Sequence, residues 1–246
     1  MTAHRHLPLQ LFALVACATA LSLARADVPV LTPFSTASAD PPAPWHVVGL
    51  PNQSKPFTRF SVVDLDGRRV LRVEAVESYG NLVHALQNVP AGLKLAWRWR
   101  VDTLITGADL RKRSGDDVAL KVCVLFDEPL KSIPFVERQV LRIARSQTSE
   151  PLPAATLCYV WDTELPPETH MSNAFTPRLR YVVLRSGSAQ LRQWVDERRD
   201  LGADFLKLFG AEVSEVPPIV GVAVGADADN THSRSLGFVA DLAFQP

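Results

Sequence analysis

Between Leu93 and Val101 apolar and polar positions alternate: Leu93, Leu95, Trp97, Trp99 and Val101 are separated by Lys94, Ala96, Arg98 and Arg100. Successive strand side chains point to opposite faces, so this run predicts a strand with one apolar and one basic face. The same period recurs over Asp116–Asp127, where Val118, Leu120, Val122, Val124 and Phe126 share a face, and over Leu157–Asp162, with Leu157, Tyr159 and Trp161. Phe57–Val63 and Arg69–Val76 flank Asp64-Leu65-Asp66-Gly67. Asp-Gly between two such runs signals a hairpin turn. Asn81–Leu86, Leu179–Arg185, Ile219–Val224 and Leu236–Phe244 bring the set to roughly ten short strands.

Two stretches break this rhythm. Pro134–Ser146 carries Phe135, Val136, Val140, Ile143 and Ala144 near helical spacing, with Pro134 suited to a first turn. Asp196–Phe209 places Leu201, Phe205, Leu208 and Phe209 on one helical face, and Gly210 is a natural stop. Many short strands with long connections predict a mainly β fold, a two-sheet jelly-roll-like β-sandwich with two short covering helices.

The N-terminus has its own pattern. His4-Arg5-His6 is followed by an apolar run from Leu7 to Leu23 and by Ala24-Arg25-Ala26. A basic start, an apolar stretch and a small-x-small site make a secretory signal peptide, removed after Ala26. That predicts an exported protein, periplasmic or secreted. Leu14-Val15-Ala16-Cys17 offers an alternative, a lipoprotein whose lipid anchor sits on Cys17. No later run is long and apolar enough to span a membrane, so the mature chain is read without a transmembrane segment. Residues 27–44, with Pro29, Pro33, Pro41, Pro42 and Pro44, read as an extended linker, and residues 45–246 as one sandwich domain.

Charge and cysteine content narrow the partners. The chain holds 26 basic and 26 acidic residues, and cleavage removes Arg5 and Arg25 but no acid. The slight acidic excess that remains excludes nucleic acid as an expected partner. Cys123 and Cys158 lie in predicted strands at no metal-ligand spacing. An exported protein permits them to pair, but free thiols are the default, because distance is not readable from sequence.

Several groups are candidates for chemistry. Asp227, Asp229 and Asn230, with Asp241 on the closing strand, carry oxygens that could gather around Ca2+, although the glycine and distal glutamate of an EF-hand are missing. Equally, Asp and Asn favour turns. Asp116 and Asp117 precede a strand; Asp116 shares the parity of Val118 and Leu120 and would need a partner such as Arg100 or Arg185. Arg98 and Arg100 present planar donors suited to a binding surface. Asp162 stands at a strand end, where loops carry sites. Trp161 and Trp194, with Tyr159, have flat faces that suit sugar rings, although core packing is the commoner fate of tryptophan. No alternating Glu-x-Asp-x-Glu strand, Gly-x-Ser-x-Gly elbow, metal-spaced His pair or phosphate-cradling glycine loop is present.

A set of phrases runs through the chain: Trp97-Arg98-Trp99-Arg100-Val101, Gly115-Asp116-Asp117, Leu157-Cys158-Tyr159-Val160-Trp161-Asp162, Val183-Leu184-Arg185-Ser186-Gly187, Glu197-Arg198-Arg199-Asp200, Gly221-Val222-Ala223-Val224, Asp227-Ala228-Asp229-Asn230-Thr231 and Asp241-Leu242. Together they resemble the bacterial family known as domain of unknown function 3047 (DUF3047). The resemblance implies an exported bacterial domain and supplies no activity.

The leading expectation is a non-catalytic cell-envelope module that binds a glycan or similar polar ligand. One alternative is a polysaccharide hydrolase or lyase using Asp116, Asp162 or Asp229 as acid or base, with Arg100 or Arg185 stabilising charge. Another is a structural or protein-interaction module that docks to an envelope component through the Asp196–Phe209 helix.

Overall fold

A computed structural model describes residues 28–148 and 151–246. The predicted signal peptide and the alternative anchor residue Cys17 lie outside the described residues. Twelve strands are found among the described residues: β1 His46–Val48, β2 Arg59–Leu65, β3 Arg68–Val76, β4 Tyr79–Val89, β5 Lys94–Thr103, β6 Val118–Phe126, β7 Ala155–Asp162, β8 His170–Ser172, β9 Leu179–Ser186, β10 Val195–Asp200, β11 Ile219–Asp227 and β12 Arg234–Gln245. Two α-helices join them, α1 Phe135–Ser146 and α2 Leu201–Phe209.

The strands form two sheets, a seven-stranded one in the order β1-β4-β11-β6-β7-β9-β8 and a five-stranded one in the order β10-β5-β12-β3-β2. Pairing is antiparallel except between β7 and β9. The chain crosses between sheets repeatedly, as in a jelly-roll-like β-sandwich. The β2–β3 hairpin turns at Asp66 and Gly67, both at positive φ (53° and 75°), a primed-turn geometry that Gly adopts without strain.

Alternation places the core. Leu95, Trp97, Trp99 and Val101 of β5 face inward and meet Leu157, Tyr159 and Trp161 of β7. Trp99 and Trp161 pack with ring centroids 5.8 Å apart, and Trp97 and Tyr159 at 5.2 Å. These four aromatic side chains are fully buried between the sheets.

Three expectations change. Within the stretch expected to be an extended linker, the described residues 28–44 pack on the domain: Leu31 and Phe34 enter the core, Phe34 packs on Trp45, and Trp45 Nε1 donates to the Thr32 carbonyl. The predicted Asp196–Phe209 helix is a strand followed by a helix. Val195–Asp200 pairs with β5, Asp200 caps the Ala203 N–H, and only then does α2 begin. Leu201, Phe205 and Phe209 of α2 are fully buried, so the apolar face expected for docking is turned into the core, with Leu206 alone of its large apolar residues exposed. Finally, Cys123 and Cys158 stand directly opposite in the β6–β7 register and form a disulfide. Strand register, invisible in the spacing, brings them together.

Candidate functional site

On β6 Val122 and Val124 face the core, which turns Lys121, Cys123 and Leu125 to the other side of the seven-stranded sheet. Asn81, Val83 and Ala85 of β4, Ala223 of β11, and Thr156 and Cys158 of β7 share that outer face. A second apolar cluster covers part of it, with Cys123, Cys158, Val160, Tyr181, Val183 and Ala223. The remainder is an open cavity of about 380 Å³. Residues His46–Pro51 wall it on one side and Pro151–Pro153 on another, and the Cys123–Cys158 disulfide lies in its lining. Most of the lining is apolar; Asn81, Tyr79, Lys121, Thr156 and His46 supply the polar groups. Among the described residues, that lining carries no carboxylate.

Lys121 reaches the cavity from a buried position. Its Nζ donates to Asp227 Oδ2 at 2.9 Å and stands 5.1 Å from the Tyr79 ring centre. The other Asp227 oxygen accepts the Val118 N–H at 2.8 Å. Asn81 Nδ2 donates to the Tyr79 hydroxyl at 3.2 Å. Gly225 makes this crowding feasible: a Cβ there would stand 2.9 Å from the Gly80 carbonyl and 3.0 Å from Lys121 Cε, with Asn81 Oδ1 closer still.

Burial pushes the Asp227 carboxyl up to about 6, against the pull of Lys121. For Lys121, burial favours the neutral amine, but Asp227 and Tyr79 outweigh it and hold the ammonium above the ordinary lysine value. At neutral pH the pair is therefore ionised. Burial also raises Tyr79 and Asp116.

The aspartates around this pair are committed to internal bonds. Asp116 accepts from Asn173 and from the Tyr181 hydroxyl, the latter at 3.2 Å. Asp117 accepts from Asn230 Nδ2 and from the Thr231 N–H and hydroxyl. Asp162 accepts the Glu164 and Leu165 N–H groups and so closes its own turn.

The family described as "Protein of unknown function (DUF3047)" matches this sequence over residues 43–243. The chain belongs to DUF3047. No curated protein matches it. Among solved structures, this DUF3047 chain is similar to TmCBM61, solved with beta-1,4-galactotriose, at 10% identity over 82% of this chain and 88% of that one, TM-score 0.35. It is similar to a family 12 xyloglucanase from Bacillus licheniformis at 6% identity over 81% and 99%, TM-score 0.40. It is also similar to the endoglucanase cel12A from Rhodothermus marinus at 9% identity over 82% and 95%, TM-score 0.38.

The residues singled out in the sequence scatter over this DUF3047 domain. Trp161 is fully buried against Trp99 and offers no face to a ligand. Arg98, Arg100 and Trp194 belong to the outside of the other sheet. There Arg98 pairs with Asp196 and lies over the Trp194 ring, while Arg100 bonds Asp102 and Asp66. Trp194 Nε1 also donates to Asp66. Arg185 pairs with Glu197, which accepts from Trp99 Nε1 as well. Neither Arg100 nor Arg185 partners Asp116; Asn173 and Tyr181 do.

Of the predicted Ca2+ set, Asp229 has a buried Oδ1 without a hydrogen-bond partner, and the other three turn elsewhere. Asp227 turns to Lys121, Asn230 donates to Asp117, and Asp241, exposed at an irregularity of β12, pairs with Arg68. No cluster of three or more His, Cys, Asp or Glu able to hold a metal occurs among the described residues.

Sequence reasoning missed Lys121, Tyr79 and Asn81. Lys121 did leave a signal: it is the one charge inside Val118–Phe126, an otherwise apolar strand. A strand apolar on both faces is covered on both faces, and a lysine within it must find a buried partner.

Proposed function

We propose that this chain is an exported, non-catalytic binding module whose ligand lies in the outer-face cavity of the seven-stranded sheet, and that the ligand is a short glycan segment or similar polar molecule. The observation that carries this reading is the cavity's lining: apolar over most of its area, polar at Asn81, Lys121 and Thr156, and without a carboxylate among the described residues. Binding sites have this composition, an apolar surface with a few directed polar groups. A sugar ring matches it, with a C–H face for the floor and hydroxyls for the polar end.

Glycoside hydrolysis needs two carboxyl groups flanking the scissile bond. Asp116, Asp162 and Asp229 are all absent from the lining, and Asp116 and Asp162 accept internal hydrogen bonds, which favours binding over turnover. The Cys123–Cys158 disulfide supports export, because such bonds persist in oxidising compartments. No helix among the described residues is long and apolar enough to cross a membrane.

Calorimetric titration of the purified protein with soluble envelope and plant oligosaccharides tests the reading. Expected are saturable binding to one glycan class, no release of reducing ends, and loss of binding in Ala85→Trp. Ala85 is an exposed lining position, so an indole there fills the cavity without entering the core. Release of reducing ends, or binding indifferent to Ala85→Trp, overturns it.

A further inference from the structure

α1 presents an apolar stripe to solvent. Val136, Val140 and Ile143 fall at i, i+4 and i+7, and are 72%, 60% and 59% exposed; Phe135 beside them is 66% exposed. Such exposure is unlike α2, where Leu201, Phe205 and Phe209 are buried and only Leu206 is exposed. The opposite side of α1 is fixed to the domain. Leu141 packs with Ile133 and Ala154, and Arg145 donates twice to the Leu152 carbonyl, at 2.9 and 2.7 Å. The helix is thus held rigidly with its apolar stripe outward.

Its charges have one sign on the open side. Exposed Arg142 and half-buried Arg138 both lie on the Phe135 side of the stripe, with Arg138 5.6 Å from the Phe135 ring centre. The helix's one acid, Glu137, turns inward to Arg178 at 3.0 Å. Arg178 also binds buried Glu128, so neither acid offsets the arginines outside. An apolar stripe bordered by arginines along its Phe135 side is complementary to a bilayer surface bearing anionic headgroups, where the stripe enters the acyl boundary and the long guanidinium side chains reach the phosphates. We infer that α1 is an interfacial helix that seats this domain on an anionic lipid surface through Val136, Val140, Ile143, Arg138 and Arg142. The inference is independent of what the outer-face cavity binds.

Hydrogen-exchange mass spectrometry of the full chain resolves the region involved, so an N-terminal lipid or apolar anchor does not confound it. Vesicles of phosphatidylglycerol mixed with phosphatidylcholine should slow exchange in the peptide covering residues 135–146, and pure phosphatidylcholine vesicles should not. Arg138→Glu with Arg142→Glu should weaken that vesicle-dependent protection by about thirtyfold or more in lipid concentration. Val136→Asp with Val140→Asp should abolish it with an unchanged circular dichroism spectrum. No protection on any vesicle overturns the inference, as does equal protection on neutral lipid. Protection that appears without lipid and grows with protein concentration also overturns it and assigns the stripe to a second copy of the chain. The comparison of the two vesicle types needs only the wild-type chain, so it stands even if a variant fails to fold.

Discussion

Lys121 and Asp227, on neighbouring strands β6 and β11, form a 2.9 Å ion pair with both side chains almost wholly removed from solvent. Removing one partner leaves an uncompensated charge in the protein interior, which costs about 3–5 kcal/mol. Lys121→Met and Asp227→Asn are each expected to destabilise on that scale. The double variant should lose less than the sum of the two. Urea denaturation of the four proteins in a double-mutant cycle checks this.

The same pair has a pH signature. Burial raises Asp227 from 3.8 to about 6 in the folded chain. Between those values the native state holds a proton that the unfolded state has released. The contribution of this group to stability is therefore full below 3.8 and is lost as pH rises through about 6. Acidification from pH 7 to 5 should stabilise the wild type relative to Asp227→Asn, and the Asp227 carboxyl carbon should titrate by NMR with a midpoint near 6.

The disulfide joins strands whose cysteines are 35 residues apart in sequence. Closing a loop of that length restricts the unfolded chain by about 4 kcal/mol in the chain-entropy account. Cys123→Ala with Cys158→Ala is expected to lose about 2–4 kcal/mol and to abolish the effect of reductant on the urea midpoint.

Trp161 is a packing residue here. Trp161→Ala should cost about 3–5 kcal/mol through the cavity left against Trp99. Trp161→Phe should restore most of the stability and leave ligand affinity unchanged. A selective loss of affinity in the phenylalanine variant would instead place Trp161 at the site.

Alternation made much of the sandwich legible. The β5 pattern from Leu95 to Val101 faces as read, and Asp66-Gly67 turns as read. β10 was not legible, because Asp196-Glu197-Arg198-Arg199-Asp200 has no apolar alternation. It is a strand by virtue of its partner, with Arg98 of β5 opposite Asp196. The site was harder still. Asp227 looked like a turn ligand because its sequence neighbours are Asp229 and Asn230, whereas its partner Lys121 lies more than a hundred positions away. The cavity joins segments as distant as His46–Pro51 and Pro151–Pro153, and no local period encodes that meeting.

The central claim is that a ligand occupies the outer face of the seven-stranded sheet. Its most direct test is a titration of the isotopically labelled protein with the tightest-binding oligosaccharide of the panel, followed by amide chemical shifts. The account predicts concentrated shifts at Val83, Ala85, Thr156, Cys158 and Ala223. Shifts centred instead on Arg98, Arg100 and Trp194, on the outside of the five-stranded sheet, would contradict it.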